Sequence, residues 1–168
     1  RCDKVAPQLH LPVQSGSSRV LKAMNRHYDR ETYLDEVRRL KELIPDIVLT
    51  SDIIVGFPGE TEAEFEETLS LLEEVRFDSL FTFIFSPRVG TPAAKMEDPV
   101  PMTEKKKWFQ RLLDTQNRIS VEKHKEYIGR ILPVLVEEEN PADAVNNLNC
   151  RTDGWRLVHV PGDVSLLG

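Results

Sequence analysis

The sequence predicts an α/β fold with parallel strands, followed by a smaller unit made of β-strands. Three observations predict it. Segment 50–61 joins a β-branched apolar run, a Gly/Pro turn and an acidic amphipathic helix, in the order strand, loop, helix. Up to residue 85 the predicted elements alternate as β-αα-β-α-β, which implies right-handed crossovers and a parallel sheet. From residue 129 onward the pattern changes to short strands.

Length and charge bound the possible functions. The chain has 168 residues, fewer than the roughly 250 of a complete eight-stranded α/β barrel. Lys and Arg number 22 against 28 Asp and Glu, so no global basic field indicates nucleic acid, and any RNA site must be local. No apolar run approaches the roughly 18 residues of a membrane helix, and no signal peptide is visible. We expect a cytoplasmic protein without a membrane partner.

The first elements are a strand and two helices. A strand is expected at 9–13, and the polar turn 14–18 that follows it suits the start of a helix. Residues 20–24 continue as a short helical face. Asp29 is predicted to cap a second helix, whose apolar residues recur at helical spacing until Pro45 ends it.

The central strand is expected at 47–55. Its consecutive residues 53–55 are β-branched and apolar, which is typical of a strand covered on both faces of a parallel sheet. Thr61 followed by Glu64 predicts a capping box and therefore the start of a helix. The predicted buried stripe of that helix comprises Phe65, Leu69 and Leu72.

A third strand and a long helix complete the first part of the chain. The strand is expected at 77–85 because aromatic and β-branched residues are enriched there. The helix is expected at 103–125, and its predicted apolar face comprises Phe109, Leu112, Leu113, Gln116 and Ile119. Segment 103–130 carries eight Lys/Arg against four acids, which indicates either a solvated helix face or a local phosphate-binding surface.

The residues after the long helix indicate a second unit. We place the domain boundary between residues 1–128 and residues 129–168, because the helical period stops at Gly129. A strand is expected at 131–137, and a hairpin at 150–160 is predicted by the Asp153-Gly154 pair. Two or three strands make an incomplete small β-barrel.

The residues alone do not determine a chemistry. Four histidines, His10, His27, His124 and His159, are scattered without a nucleophile beside them. Asp52 and Glu60 flank the end of the central strand, where ligand binding and a capping or turn role are both open. Arg88 lies in a Gly/Pro loop after the third strand; it suits a carboxylate or phosphate, although such an arginine is more often a surface ion-pair partner.

Four segments together resemble a known family. They are residues 10–17 (HLPVQSGS), 24–26 (MNR), 52–61 (DIIVGFPGET) and 85–94 (FSPRVGTPAA). In this combination and order they resemble the radical-SAM methylthiotransferases, in one register from residue 1 to the end of the long helix. Segments 134–137 and 150–158 resemble the start of a TRAM-type RNA-binding β-barrel. The resemblance implies the later half of a partial (β/α) radical-SAM barrel followed by an incomplete TRAM-like unit.

The resemblance also implies an activity. Members of the family hold iron-sulfur clusters and S-adenosylmethionine, and transfer a methylthio group to an adenosine beside the anticodon of tRNA. The motif versions are most similar to members that act on isopentenyladenosine. The alternatives are the siblings that act on threonylcarbamoyladenosine, a ribosomal-protein modifier, and a non-catalytic RNA- or nucleoside-binding module. The family's three-cysteine cluster motif lies upstream of residue 1, and neither Cys2 nor Cys150 replaces it. We therefore expect the chain to be inactive without the N-terminal part of the same protein.

Site residues are carried over from the family motifs. Gln14 and Ser15 match the polar turn near the ribose of S-adenosylmethionine. The stretch near the adenine supplies Asp52, Ile54, Gly56 and Phe57, and Arg88 lies on the next loop. Segment 131–168 has two Arg against six acids, so tRNA phosphates are expected to contact the long helix instead. Its candidate RNA-binding residues are Lys105, Lys106, Lys107 and Arg111.

Overall fold

A computed structural model describes residues 5–168; Cys2 lies outside the described residues. The strands are β1 (Gln8–His10), β2 (Val48–Val55), β3 (Ser79–Ile84), β4 (Val134–Glu139), β5 (Leu148–Thr152) and β6 (Leu157–Val160). The helices are α1 (Ser18–Ala23), α2 (Arg30–Leu43), α3 (Glu62–Val75) and α4 (Met102–Lys125). Element types and order agree with the sequence prediction, and the α/β class is confirmed.

The first sheet is parallel, with β2 between β1 and β3. Strand β1 is shorter than the predicted 9–13. Its backbone ladder breaks because Pro12 has no N–H and the Val13 N–H donates to the Ser51 hydroxyl instead (3.0 Å). Pairing resumes at Gln14, which forms a parallel bridge with Ile53. The chain after β1 is thus held beside the carboxyl half of β2.

The helices cover one face of this sheet. A single core joins α2, α3 and α4 to the sheet and includes Val13, Ile53, Val55, Phe65, Leu72, Phe77, Trp108, Leu112 and Ile119. On the opposite face, Phe81 and Phe83 of β3 are 57% and 54% exposed. The prediction that β2 is covered on both faces is therefore wrong for the described residues, because Ile54 on that open face is only partly buried.

The predicted helix starts are confirmed. The Asp29 carboxylate accepts a hydrogen bond from the Thr32 N–H (2.8 Å) at the start of α2. Thr61 and Glu64 form the capping box of α3, and Glu64 also pairs with Arg19. That hydrogen-bonded arginine lowers the pKa of Glu64 to about 2. The glutamate thus stays ionised and ties α1 to the start of α3.

The buried face of α4 differs from the predicted one. Leu112, Gln116 and Ile119 are buried as expected, whereas Phe109 and Leu113 are only partly buried. Two residues outside the prediction complete the face: Lys105 and Trp108. The Trp108 ring stacks on Phe65 of α3, with 5.4 Å between ring centroids. Helix α4 is therefore rotated toward α3, compared with the orientation that the spacing of its apolar residues predicts.

The second sheet is antiparallel, in the order β4-β5-β6. The predicted hairpin at Asp153-Gly154 is confirmed, but β4 begins at Val134 rather than at 131. Leu148 and Cys150 of β5 are fully buried. The sheet is consistent with a TRAM-like part, whereas a domain boundary between 128 and 129 stays a prediction.

Asp78 links this second sheet to the first. Its carboxylate is 4% exposed and accepts hydrogen bonds from the Leu49 N–H of β2 (2.9 Å) and the Lys123 ammonium of α4 (2.7 Å). The other oxygen accepts from the Arg156 guanidinium, which stacks on Tyr127. One buried carboxylate thus joins a strand, a helix and the C-terminal hairpin. Within residues 5–168, no helix is long and apolar enough to cross a membrane.

Candidate functional site

A cavity of about 480 Å³ lies at the carboxyl edge of the parallel sheet. Four of the predicted cofactor-binding residues line it: Gln14, Asp52, Ile54 and Arg88. Gln14 follows β1, Asp52 and Ile54 belong to β2, and Arg88 follows β3. Parallel strands end at the same edge of a sheet, and this common edge brings together residues far apart in sequence. We call this space the rim cavity.

Gln14 is held in an unusual backbone conformation. Its φ is 75°, a left-handed value that costs about 1–3 kcal/mol for a residue other than glycine. The conformation is fixed because its N–H donates to the Asp52 carbonyl and its carbonyl accepts from the Ile54 N–H. The Gln14 side-chain amide points toward the Asp52 carboxylate at 3.4 Å. Gln14 therefore presents an amide, and Asp52 a carboxylate, to the same side of the rim cavity.

Two guanidinium groups line the rim cavity. Arg88 is the predicted one, and Arg26 is a site residue that sequence reasoning missed. Among residues 5–168, neither side chain takes part in an ion pair or a hydrogen bond. The sequence signal for Arg26 was the motif segment 24–26 (MNR), to which no site residue was assigned. In the structure Asn25 adopts a φ of 60° in this segment. The cavity thus combines two cations with one carboxylate and an amide.

Aromatic and aliphatic side chains form the other walls. Phe83 and Phe85 of the β3 segment line the rim cavity together with Ile54. A neighbouring cavity of about 350 Å³ shares Arg26, Ile54 and Phe85, and Phe57 lies on this second cavity. Flat apolar walls beside an amide, a carboxylate and two guanidiniums suit a ligand with an aromatic ring, hydroxyls and an anionic group.

Ser15 does not reach the rim cavity. Its side chain is fully buried, lies 3.5 Å from the Thr68 hydroxyl and accepts from the Ser17 N–H. These contacts hold the start of α1 against α3. The predicted placement of Ser15 beside a ligand is wrong for this structure, because its hydroxyl is directed into the protein. The sequence signal, a polar turn after a strand, does not separate adjacent residues that point in opposite directions.

Glu60 organises the turn that follows β2, which we call the glycine turn (residues 56–60). Its carboxylate is buried and accepts hydrogen bonds from the Gly56 N–H (2.5 Å) and the Phe57 N–H (3.2 Å). Burial raises the pKa of Glu60 to about 7. Of the two roles that the sequence left open for Glu60, the structure shows the turn role.

The raised pKa makes a prediction about stability and pH. A carboxyl group with a folded-state pKa of about 7 and an ordinary value of 4.5 stabilises the fold below pH 4.5, and this contribution is lost as pH rises toward 7. Between pH 5 and 8 this loss amounts to about 2 kcal/mol of the free energy of unfolding, and we expect it to be absent in Glu60→Gln. Urea unfolding at both pH values measures it. The exposed Glu42→Gln variant is the control, and equal pH dependence in both variants would contradict the assignment.

The candidate RNA-binding residues of α4 are mostly engaged within the protein. Lys105 is 2% exposed and pairs with Asp98, so its prediction as a phosphate contact is wrong: the ammonium is enclosed. Lys107 pairs with Glu104, and Arg111 pairs with Glu66 and lies 3.7 Å from Glu62. Lys106 is exposed and makes no ion pair among the described residues. Three of these four cations are therefore compensated by acids of the preceding loop, of α4 itself and of α3.

Metal ligands are not clustered in the part of the chain that the structure describes. No group of three or more His, Cys, Asp or Glu side chains in residues 5–168 is arranged to hold a metal ion. Cys150 is a free, buried thiol in the second sheet.

Comparisons with known proteins agree with this fold. Residues 3–72 match the family model of the Radical SAM superfamily. The chain is 57% identical over 168 residues to the tRNA-2-methylthio-N(6)-dimethylallyladenosine synthase of Clostridium botulinum, covering 100% of the chain and 37% of that protein. It is 54% identical over 167 residues to the protein of the same name from Acetivibrio thermocellus, covering 99% of the chain and 35% of that protein.

A solved structure supports the fold. Coproporphyrinogen III oxidase (HemN) from Escherichia coli, described as a Radical SAM enzyme, superposes with a TM-score of 0.57 at 22% identity. The match covers 67% of this chain and 27% of that chain. The family model and the solved structure thus agree that the chain has a Radical SAM fold. Over its whole length the chain is similar to methylthiotransferases, as the motifs predicted, and it spans about 37% of the length of the C. botulinum relative.

Proposed function

We propose that this chain is part of a tRNA methylthiotransferase and that its rim cavity holds S-adenosylmethionine. One observation carries the proposal: Gln14, Asp52, Ile54 and Arg88, carried over from three motif segments far apart in sequence, line one cavity. The chain in which they converge is 57% identical over its whole length to a protein named as such an enzyme.

The residues present fit this cofactor. Ile54, Phe83 and Phe85 offer apolar surface to the adenine, and the Gln14 amide and the Asp52 carboxylate are suited to ribose hydroxyls. Arg26 and Arg88 provide donors for the carboxylate of the methionine end. S-adenosylmethionine, with an iron-sulfur cluster ligated by residues outside this chain, supplies the radical chemistry. The described residues bind and orient the cofactor.

The proposed substrate is isopentenyladenosine beside the anticodon of tRNA, since the similar proteins are named for the dimethylallyladenosine product. The partners of this chain are then tRNA and the N-terminal part of the same protein, in the cytoplasm. Of the helix residues predicted to contact RNA, Lys106 is the one whose ammonium is free of an ion pair within residues 5–168. A threonylcarbamoyladenosine substrate is the alternative, and a substrate assay distinguishes the two.

The experiment uses a full-length methylthiotransferase that carries this sequence, with its clusters reconstituted. We expect Arg88→Ala to weaken S-adenosylmethionine binding about tenfold to hundredfold, since a hydrogen bond to a charged group contributes about 1.5–3 kcal/mol. We expect Gln14→Ala to weaken it about twofold to tenfold, since a neutral hydrogen bond contributes about 0.5–1.5 kcal/mol. Calorimetric binding and reductive cleavage of the cofactor measure the effect, and iron content is expected to stay unchanged. Arg38→Ala, which removes an exposed arginine of α2 paired with Asp35, is the matched control. Unchanged affinity in both cavity variants would contradict the site. Absence of cofactor cleavage in the parent enzyme would contradict the function.

A further inference from the structure

Lys105 is a buried lysine that the proposed function does not use. It lies in the first turns of α4, and its side chain is 2% exposed. The aliphatic part of the side chain passes directly over Gly56: a Cβ placed on Gly56 would lie 2.5 Å from Cδ of Lys105. Because Gly56 has no side chain, a channel is open above it, and the Lys105 side chain occupies this channel. The Lys105 side chain thus brings α4 into contact with the glycine turn.

The ammonium of Lys105 emerges at a second loop. Its Nζ donates to the Asp98 carboxylate at 2.5 Å and lies 6.0 Å from the centroid of the Phe85 ring. Asp98 belongs to loop 86–101, the connection between β3 and α4 that carries Arg88. Near Arg88 the loop is fixed by Thr91, whose hydroxyl donates to the Arg88 carbonyl (2.8 Å) and caps a 3-10 turn at Pro92–Lys95. Lys105 fixes its far end.

We infer that Lys105 and Asp98 are positioning residues: their ion pair fixes loop 86–101 against the glycine turn, and thereby sets where Arg88 stands in the rim cavity. The inference rests on the proposed function and adds two residues to it. Neither residue lines the rim cavity, so the pair acts through the loop.

The composition of this contact supports a positioning role over a purely stabilising one. A buried ion pair is weak evidence for stability, because desolvation of the two charges offsets their attraction, and an apolar residue of similar volume would fill the channel over Gly56. An ammonium paired with a single carboxylate instead specifies one arrangement of the two segments. The aromatic contact between Phe57 and Phe85, with centroids 5.2 Å apart, joins the glycine turn to the residue directly before this loop, beside the cavity. Both contacts converge on the wall that Phe85 shares with Arg88.

The test uses Asp98→Asn in a full-length methylthiotransferase that carries this sequence. Asp98 is 35% exposed, and the isosteric amide keeps an oxygen that accepts a hydrogen bond from the buried Lys105 ammonium, so the variant is expected to fold. We expect the KM for S-adenosylmethionine to rise about fivefold to tenfold, with kcat of cofactor cleavage within about twofold, as for a lost charge-assisted hydrogen bond. Glu97→Gln changes the neighbouring exposed carboxylate and is expected to leave KM unchanged.

A double-mutant cycle separates positioning from general stability. If Asp98 acts through Arg88, Asp98→Asn in an Arg88→Ala background raises KM by less than about twofold. The inference would be overturned if the KM increase of the double variant equalled the product of the increases of the two single variants. An unchanged KM in Asp98→Asn, in a parent enzyme that cleaves the cofactor, would overturn it as well. Lys105→Met is the second variant, with the same KM shift expected at an unfolding midpoint close to that of the parent. A parent enzyme that fails to cleave S-adenosylmethionine would refute the proposed function instead.

Discussion

Replacing Asp78 by alanine is expected to lower the free energy of unfolding by about 3–5 kcal/mol. The substitution leaves the Leu49 N–H without its buried acceptor and the Lys123 ammonium without its carboxylate. It also removes the partner of Arg156, whose Nε has no hydrogen-bond partner among the described residues. The loss of stability is large because three donors in a poorly solvated environment lose the acceptor that they share.

Urea unfolding measures this effect, and the two tryptophans separate its local and global parts. Trp155 at the C-terminal hairpin is 60% exposed, whereas Trp108 in the core is 3% exposed. We expect the Trp155 environment to change in Asp78→Ala at urea concentrations that leave Trp108 buried. Asp114→Ala, which removes an exposed carboxylate of α4, is the control, with an expected change within about 0.5 kcal/mol. A loss below about 1 kcal/mol in Asp78→Ala would show that Asp78 does not hold the hairpin.

Gly56→Ala is expected to lower the free energy of unfolding by about 3 kcal/mol. Two causes add: the residue has a φ of 73°, and the new methyl group would lie 2.5 Å from Cδ of Lys105. Since the lysine has no free space on its other side at 2% exposure, either the side chain or the glycine turn must move. The rim cavity is then expected to be distorted as well.

Gly59→Ala supplies the matched comparison within the same turn. Gly59 has a φ of 77°, and nothing lies within 4 Å of a Cβ placed on it. Its substitution therefore carries the backbone cost alone, about 1 kcal/mol. The difference between the two variants in urea unfolding measures the contact with Lys105. Equal losses would mean that the lysine does not occupy the channel over Gly56.

Local sequence patterns predicted most of the fold. The capping box at Thr61 and Glu64, the cap at Asp29 and the hairpin at Asp153-Gly154 depend on residues a few positions apart, and each is confirmed. The predictions are wrong where contacts between residues distant in sequence determine the structure. Strand β1 ends early because a Ser51 hydroxyl takes the Val13 N–H, and α4 is turned by the stacking of Trp108 on Phe65. Neither contact can be predicted from the spacing of apolar residues.

The site was predictable where strand order alone determines position. Gln14, Asp52, Ile54 and Arg88 share a cavity because parallel strands end at one edge. Lys105 could not be predicted, since its burial depends on a channel made by a glycine forty-nine positions earlier in the sequence. A lysine in a run of three, Lys105 to Lys107, looks exposed in any sequence pattern. Arg26 belongs to the segment 24–26 that contributed to the family resemblance, but no ligand-binding role was assigned to that segment.

The ion pairs between α3 and α4 also affect how the protein meets a charged partner in solution. Arg111 is compensated by Glu66, and Arg118 by Glu73 and Glu122. Opposite charges within a few ångströms form short dipoles whose field fades within a Debye length, about 8 Å at physiological salt. A polyanion diffusing toward this side is therefore not guided over long distances. Electrostatic steering, which raises association rates, must come from cations that lack such partners, and Arg26 and Arg88 place two of them at the mouth of the rim cavity.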